Sequence, residues 1–311
     1  MSIYITVDGG TTNTRVTLVR DREVIDTVRI PLGARACIDD KAALPRALRA
    51  AICDLLTRHA LCEADVVRVL ASGMITSEFG LCALPHLVAP AGLRELHEGM
   101  HEVVLDEITT IPFVFIRGVK TVGTLDDTDM MRGEETELCG LIGDATVDTL
   151  YVLPGSHSKL IETDAEGRIT HFATMLTGEM LAALSSGTIL KDAVDLSLRE
   201  FDAESLTDGC RYAMDKGINE ALFKVRILKN LFRKTPVEVY SFFLGAVLAS
   251  EIAAIVTSPI RHVVIGGKAQ IKRATEALLR TLSDKKITVV SDRDVDASSA
   301  LGAIRIYEFQ T

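Results

Sequence analysis

No pair of cysteines is spaced as CxxC in this 311-residue chain. The six cysteines, Cys37, Cys53, Cys62, Cys82, Cys139 and Cys210, are scattered through apolar stretches, as buried reduced thiols are. There is no low-complexity tract and no long run of like charge. A basic stripe is also missing: 34 Lys and Arg stand against 43 Asp and Glu, a formal net charge of -9. Nucleic-acid binding needs clustered Lys and Arg against phosphates, so no nucleic-acid partner is expected. Small anions, which need only local positive groups, are not excluded. No signal segment is expected, because Met1-Ser2-Ile3-Tyr4-Ile5-Thr6-Val7 reads directly as a strand, and the expected location is cytoplasmic. No apolar run reaches the roughly 20 residues of a membrane span. The nearest, Tyr240 to Val256, carries Glu251 as its only charge, follows a charged segment and leads into Pro259. It reads as a buried helix, and no membrane partner is expected.

What is present is ordinary for a globular chain with real cores: 48% apolar and 25% charged residues. The length suggests two lobes. Ile3, Ile5 and Val7 form one face of a strand. A turn follows at Gly9 to Asn13, then a strand at Val16 to Val19. A tight turn at Asp21-Arg22 leads into a strand at Val24 to Val28. Leu44 to His59 has helical spacing, and Val66 to Ala71 and Pro112 to Ile116 are short strands. A second meander runs through strands at Thr149 to Leu153, Lys159 to Thr163 and Ile169 to Met175. Helices are expected at Glu179 to Leu184, Ser205 to Asn219, Val237 to Val256, Ala269 to Leu282 and Ser298 to Glu308. Strands at Val263 to Ile265 and Ile287 to Val290 complete the reading. The order meander, turn, helix occurs twice, which suggests duplication of one lobe.

Three turns carry candidate chemistry. Asp8-Gly9-Gly10-Thr11-Thr12-Asn13-Thr14-Arg15 places glycines and neutral donors where backbone N–H groups can cradle phosphate oxygens, with Asp8 positioned to hold Mg²⁺. Leu153-Pro154-Gly155-Ser156-His157-Ser158-Lys159 repeats the pattern in the second meander, adding two cations. In Ile265-Gly266-Gly267-Lys268-Ala269-Gln270 a strand ends in bare glycines against which a flat purine could lie.

In this order the three turns resemble the phosphate-1, phosphate-2 and adenosine motifs of the sugar kinase and actin-like superfamily. More narrowly, Ala71-Ser72-Gly73-Met74-Ile75-Thr76-Ser77, Met131-Arg132-Gly133-Glu134-Glu135-Thr136, the Pro154 turn and Met175-Leu176-Thr177-Gly178-Glu179-Met180 look like the 2-dehydro-3-deoxygalactonokinase family over nearly the full length. The resemblance implies an α/β fold of two RNase H-like lobes with a central nucleotide cleft. The expected boundary gives 1–146 to a sugar-binding lobe and 147–311 to a nucleotide-binding lobe, with the last helix able to pack back on the first. It implies transfer of a phosphoryl group from MgATP to the 6-hydroxyl of a 2-keto-3-deoxy sugar acid, such as 2-dehydro-3-deoxy-D-galactonate. It leaves room for a homodimer, for a different sugar or sugar acid, and for a non-catalytic sugar-responsive regulator.

The resemblance also assigns roles. Gly10, Thr11, Thr12, Asn13, Gly155, Ser156, His157, Ser158 and Lys159 would hold phosphates, and Gly266 and Gly267 would flank adenine. Gly73, Met74, Ile75 and Ser77 would line the sugar-acid site, with Arg132 pairing with the carboxylate. Glu134 is the expected base, in competition with Glu135, Asp127 and Asp129. The sequence departs from the family where Gly9, Leu160 and Leu81 replace tryptophans and Glu78 replaces an arginine. A carboxylate at Glu78 would disfavour an acidic substrate if it faced one. One competing motif, His97-Glu98-Gly99-Met100-His101, fits HExxH. It would need an unbroken helix, and the spacing predicts a helix end at Gly99 and a strand at Val103 to Leu105.

Overall fold

The structure, a computed structural model, describes residues 2–143, 146–267 and 269–310. The chain forms two compact units. The first comprises Met1–Thr146, Asp164–His171 and Arg293–Thr311, and the second Val147–Thr163 and Phe172–Asp292.

The first unit opens with β1 (Ile3–Gly9), β2 (Thr14–Arg20) and β3 (Glu23–Ile30), an antiparallel meander. Asp21 and Arg22 turn the second hairpin with φ of 48° and 65°, as its tight connection requires. Then come α1 (Ala36–Asp39), α2 (Ala43–Arg58), β4 (Arg68–Gly73), β5 (Leu87–Val88), α3 (Leu93–Glu98), β6 (His101–Leu105), β7 (Thr109–Phe115), β8 (Val119–Lys120), β9 (Met130–Met131) and α4 (Glu134–Leu141). The main sheet has the order β3-β2-β1-β4-β7-β6, with β4 parallel to β1 and β7 parallel to β4. Leu44, Leu48, Ile52 and Leu55 of α2 recur at helical spacing and are fully buried with Ile5 and Leu18 of the sheet. Each such side chain contributes about 1.5–3 kcal/mol.

The second unit holds β10 (Thr149–Leu153), β11 (Ser158–Thr163), the larger part of β12 (Ile169–Met175), α5 (Thr177–Gly187), α6 (Ala203–Lys216), α7 (Ile218–Asn230), α8 (Pro236–Thr257), β13 (His262–Ile265), α9 (Ala269–Leu282) and β14 (Lys286–Val289). Its sheet order is β12-β11-β10-β13-β14, with β13 parallel to β10 and β14 parallel to β13. A meander followed by two parallel strands on its inner edge is therefore built twice. The final helix, α10 (Asp292–Tyr307), groups largely with the first unit, where the rings of Tyr307 and Tyr4 meet edge to face at 5.8 Å.

Several elements differ from the sequence reading. The helix expected over Ser205 to Asn219 stops at Lys216, because Gly217 adopts φ 84°, and α7 starts directly after it. The last helix begins at Asp292, six residues before the apolar spacing becomes visible. The apolar helix α8 is long and apolar enough to cross a membrane, yet 78% of its most apolar window is buried inside the protein. Thr235 caps it in a capping box with Glu238, and Pro236 takes the first turn.

Candidate active site

In the first unit the site grows from the end of β1. Asp8 and Gly9 lie in parallel register with Ser72 and Gly73 of β4. Gly73 (φ 85°) and Gly133 (φ 107°) lie back to back, and a Cβ on Gly133 would fall 3.3 Å from Gly73 Cα. No larger residue lets the two chains approach so closely. This contact brings the first turn of α4, and so Glu134, to the end of β1, with Asp8 Oδ1 about as near to that same Cβ position, at 4.0 Å.

Asp8 Oδ2 accepts two hydrogen bonds from Arg15, from Nη2 at 2.6 Å and Nε at 3.2 Å. Its other oxygen faces the two glycines. Among the described residues no group of three His, Cys, Asp or Glu side chains could hold a metal ion. Asp8 suits the alternative, in which Mg²⁺ arrives on nucleotide phosphates and takes one protein carboxylate.

The turn after β1 is braced from one side. Gly10 N–H donates to Asn13 O at 2.8 Å, so this amide is already used. The carbonyls of Gly10 and Thr11 accept from Ala34 and Arg35 N–H at 3.0 and 3.1 Å. In a planar trans peptide the following N–H points opposite its carbonyl. The amides of Thr11 and Thr12 therefore face away from the brace, and Thr11, Thr12 and Asn13 are exposed.

The two adjacent glutamates have separate jobs. Glu135 is fully buried, and both its oxygens accept Gly133 N–H, at 2.8 and 2.9 Å. Burial, and then the neighbouring Glu134, push its pKa up to about 8. It shapes the backbone at Gly133 and is closed to a substrate. Glu134 is half-buried, and its Oε2 accepts Arg132 N–H at 3.1 Å. Of the other acids, Asp127 accepts from Thr124 Oγ1 at 2.6 Å and Asp129 from Met130 N–H at 2.6 Å, both within their own loop.

Arg132 is not free to pair with a carboxylate as expected. Nη1 donates to Thr76 O and Oγ1 at 2.9 and 2.8 Å, and Nη2 to Leu84 O at 2.8 Å and His86 Nδ1 at 3.4 Å. Only Nε is left of its donors. The guanidinium thus ties Thr76 to Leu84 and His86. His86 is driven down to about pKa 4 by burial first, then by Arg132 and Lys120, so it stays a neutral acceptor. The expected lining also narrows. Ile75 lies in the core of this unit and Ser77 Oγ donates to Met74 O at 2.7 Å, leaving Met74 and backbone on the accessible side. Glu78 is exposed close to Arg132, whose charge it favours.

In the second unit, Ser156 O accepts from Gly178 and Glu179 N–H at 3.1 and 3.2 Å. By the same peptide geometry His157 N–H faces away from α5. A Cβ on Gly178 would fall 2.4 Å from Gly155 O, so the two backbones meet there without side chains. Gly155 N–H donates to Ser158 Oγ at 3.4 Å, and the exposed His157 ring meets Glu179 at 2.9 Å. Ser158 and Lys159 are both buried, and Lys159 Nζ donates to Thr174 Oγ1. This lysine is thus not an exposed cation at the tip of the turn. Gly266 and Gly267 are buried beside the turn: a Cβ on Gly267 would fall 2.4 Å from Pro154 O, so a protein neighbour already explains this glycine. Lys268 lies outside the described residues. The HExxH pattern is broken as its spacing predicts, with His97 in α3, Gly99 capping that helix and His101 opening β6. Sequence reasoning missed the roles of Thr76, His86 and Thr177, whose partners lie far along the chain, and that of Arg15, which pairs with Asp8 across a hairpin.

The sequence profile of the family described as 2-keto-3-deoxy-galactonokinase matches residues 8–301. The chain belongs to this family. It is accordingly a sugar-acid kinase, a transferase. It is 27% identical over 256 residues to 2-dehydro-3-deoxygalactonokinase of Escherichia coli strain K12, covering 81% of this chain and 80% of that protein. Among solved structures, a Sinorhizobium meliloti protein assigned to 2-dehydro-3-deoxygalactonokinase superposes with a TM-score of 0.78 at 21% identity, covering 99% of this chain and 98% of that one. The activator of 2-hydroxyisocaproyl-CoA dehydratase from Clostridium difficile, solved with bound ADPNP, superposes with a TM-score of 0.50 at 14% identity, covering 97% and 93%. The fold of this kinase is that of the actin-like ATPases and sugar kinases, and the twice-built sheet is its signature.

Proposed function

We propose that this kinase transfers the terminal phosphoryl group of ATP to the 6-hydroxyl of a 2-keto-3-deoxy sugar acid, with 2-dehydro-3-deoxy-D-galactonate as the acceptor its curated relative's name points to. The observation that carries the reading is the Gly73–Gly133 contact, which sets the start of α4, where Glu134 stands, next to Asp8 at the end of β1. Within the first unit, the N–H groups of Thr11 and Thr12 are offered to phosphate oxygens, in place of the Gly10 amide. The bound ADPNP of the Clostridium difficile relative supports a nucleotide on this fold. Asp8 would hold Mg²⁺, which when bound supplies neutralisation of phosphate charge. Arg15 orients Asp8 through an ion pair at 2.6 Å.

Glu134 accepts the proton of the sugar hydroxyl as its oxygen attacks phosphorus. Glu135 cannot share this task, because it is buried and fully engaged at Gly133. Most of the rate comes from holding acceptor, phosphates and charge in line. The test is ADP release with a panel of 2-keto-3-deoxy sugar acids and simple hexoses. Wild type should turn over a sugar acid, and Glu134→Gln should lose about 10²–10⁴ in turnover with ATP affinity nearly unchanged. Turnover of Glu134→Gln within a few-fold of wild type would move the base elsewhere.

A further inference from the structure

The apolar helix α8 carries one acid inside the second unit. Glu251 is 1% exposed. Its Oε2 accepts from Thr177 Oγ1 at 2.6 Å, and the hydroxyl of Ser158 also favours its charged form. Among the described residues Oε1 has no hydrogen-bond partner. Burial raises the pKa of this carboxyl, and the two hydroxyls oppose the rise. A buried carboxyl with an orphaned oxygen costs stability, and an apolar residue of similar volume would cost none. The acid is therefore poorly explained by folding alone.

Its two partners are informative. Ser158 closes one end of the 155–158 turn, where it also accepts Gly155 N–H. Thr177 begins α5, whose next two amides hold Ser156 O from the other side. Both supports of the turn thus converge on one side chain anchored in the most deeply buried helix of the unit. We propose that Glu251 is a positioning residue for the nucleotide phosphates: through Ser158 and Thr177 it keeps the 155–158 turn in the shape that presents its amides. This rests on the reading of that turn as phosphate-binding.

The role separates from a structural one by ligand. A misplaced turn weakens binding of ATP, whose terminal phosphates it meets, and leaves AMP binding alone. The experiment compares wild type, Glu251→Leu, Glu251→Gln and Thr177→Val by calorimetric titration with ATP and with AMP, alongside thermal melts. Glu251→Leu should melt no lower than a few degrees below wild type yet bind ATP roughly tenfold more weakly, the loss of about one well-made hydrogen bond to a charged group. AMP affinity should stay within twofold. Thr177→Val should follow Glu251→Leu, and Glu251→Gln, which keeps an oxygen for Thr177, should be milder. Wild type binding ATP no more tightly than AMP removes the phosphate reading itself. Wild type preferring ATP, with unchanged preference in the variants, removes only the role of Glu251. Unfolding of both Glu251 variants would make the residue a stability determinant and overturn the proposal.

Discussion

Replacing Arg132 by alanine tests whether this residue is a clamp or a reader of the substrate carboxylate. The structure commits Nη1 to Thr76, whose side chain is fully buried, and Nη2 to Leu84 and His86. Thr76 Oγ1 in turn donates to Gly73 O at 3.0 Å, so the clamp reaches the glycine that faces Gly133. Counting only the two bonds to Thr76, at about 1–2 kcal/mol each for a charged donor on a half-buried side chain, gives a loss of about 2–4 kcal/mol. At about 2.1 cal/mol/K of unfolding entropy per residue, that corresponds to a fall of roughly 3–6 °C in Tm for the 311-residue chain. Turnover should drop for any acceptor, because the 74–86 segment loosens. The discriminating measurement is the ratio of kcat/KM for a sugar acid to that for its neutral amide analogue, taken below the melting range. A clamp leaves the ratio within about threefold, since both acceptors suffer alike. A carboxylate reader would cost the acid alone about 10²-fold, the worth of a charge-assisted pair. An unchanged Tm together with a collapsed ratio would refute the clamp.

Asp8→Asn should lower turnover by at least about 10²-fold, since phosphoryl transfer relies on charge neutralisation, while Tm changes little because the Asp8–Arg15 pair is partly exposed. Near-normal turnover with Mg²⁺ present would remove Asp8 from the reaction. The depressed His86 predicts a pH effect on stability. With a folded pKa of about 4 against an ordinary 6.5, the unfolded chain binds the extra proton between those values, so stability should fall as pH drops from about 6.5 towards 4. Denaturant midpoints for wild type and His86→Gln across that window check this: the slope should flatten in the variant, and parallel slopes would show that His86 is not depressed.

The repeated meander was legible because hairpin strands alternate and their turns carry Gly, Asp and Asn, signals that are local in the chain. The helix break at Gly217 was not, since an unpatterned glycine within a helical run does not announce a positive φ. The glutamates show the same boundary. Sequence favoured Glu134 but left Glu135 in competition, and it is burial against Gly133 and Cys139 that sets Glu135 apart. Arg132 looked like a carboxylate partner because a free guanidinium is one, and Thr76 and Leu84 claimed it only after folding. Glu251 stood out as a lone charge in an apolar helix, but its meaning lay in Thr177, 74 positions away. Motif identity, the two hairpin meanders and the family were thus legible from residues near one another in the chain. Which donors stay open, which acid reaches a substrate and what holds each turn were decided by packing between distant segments, because burial and hydrogen-bond satisfaction are properties of the folded neighbourhood.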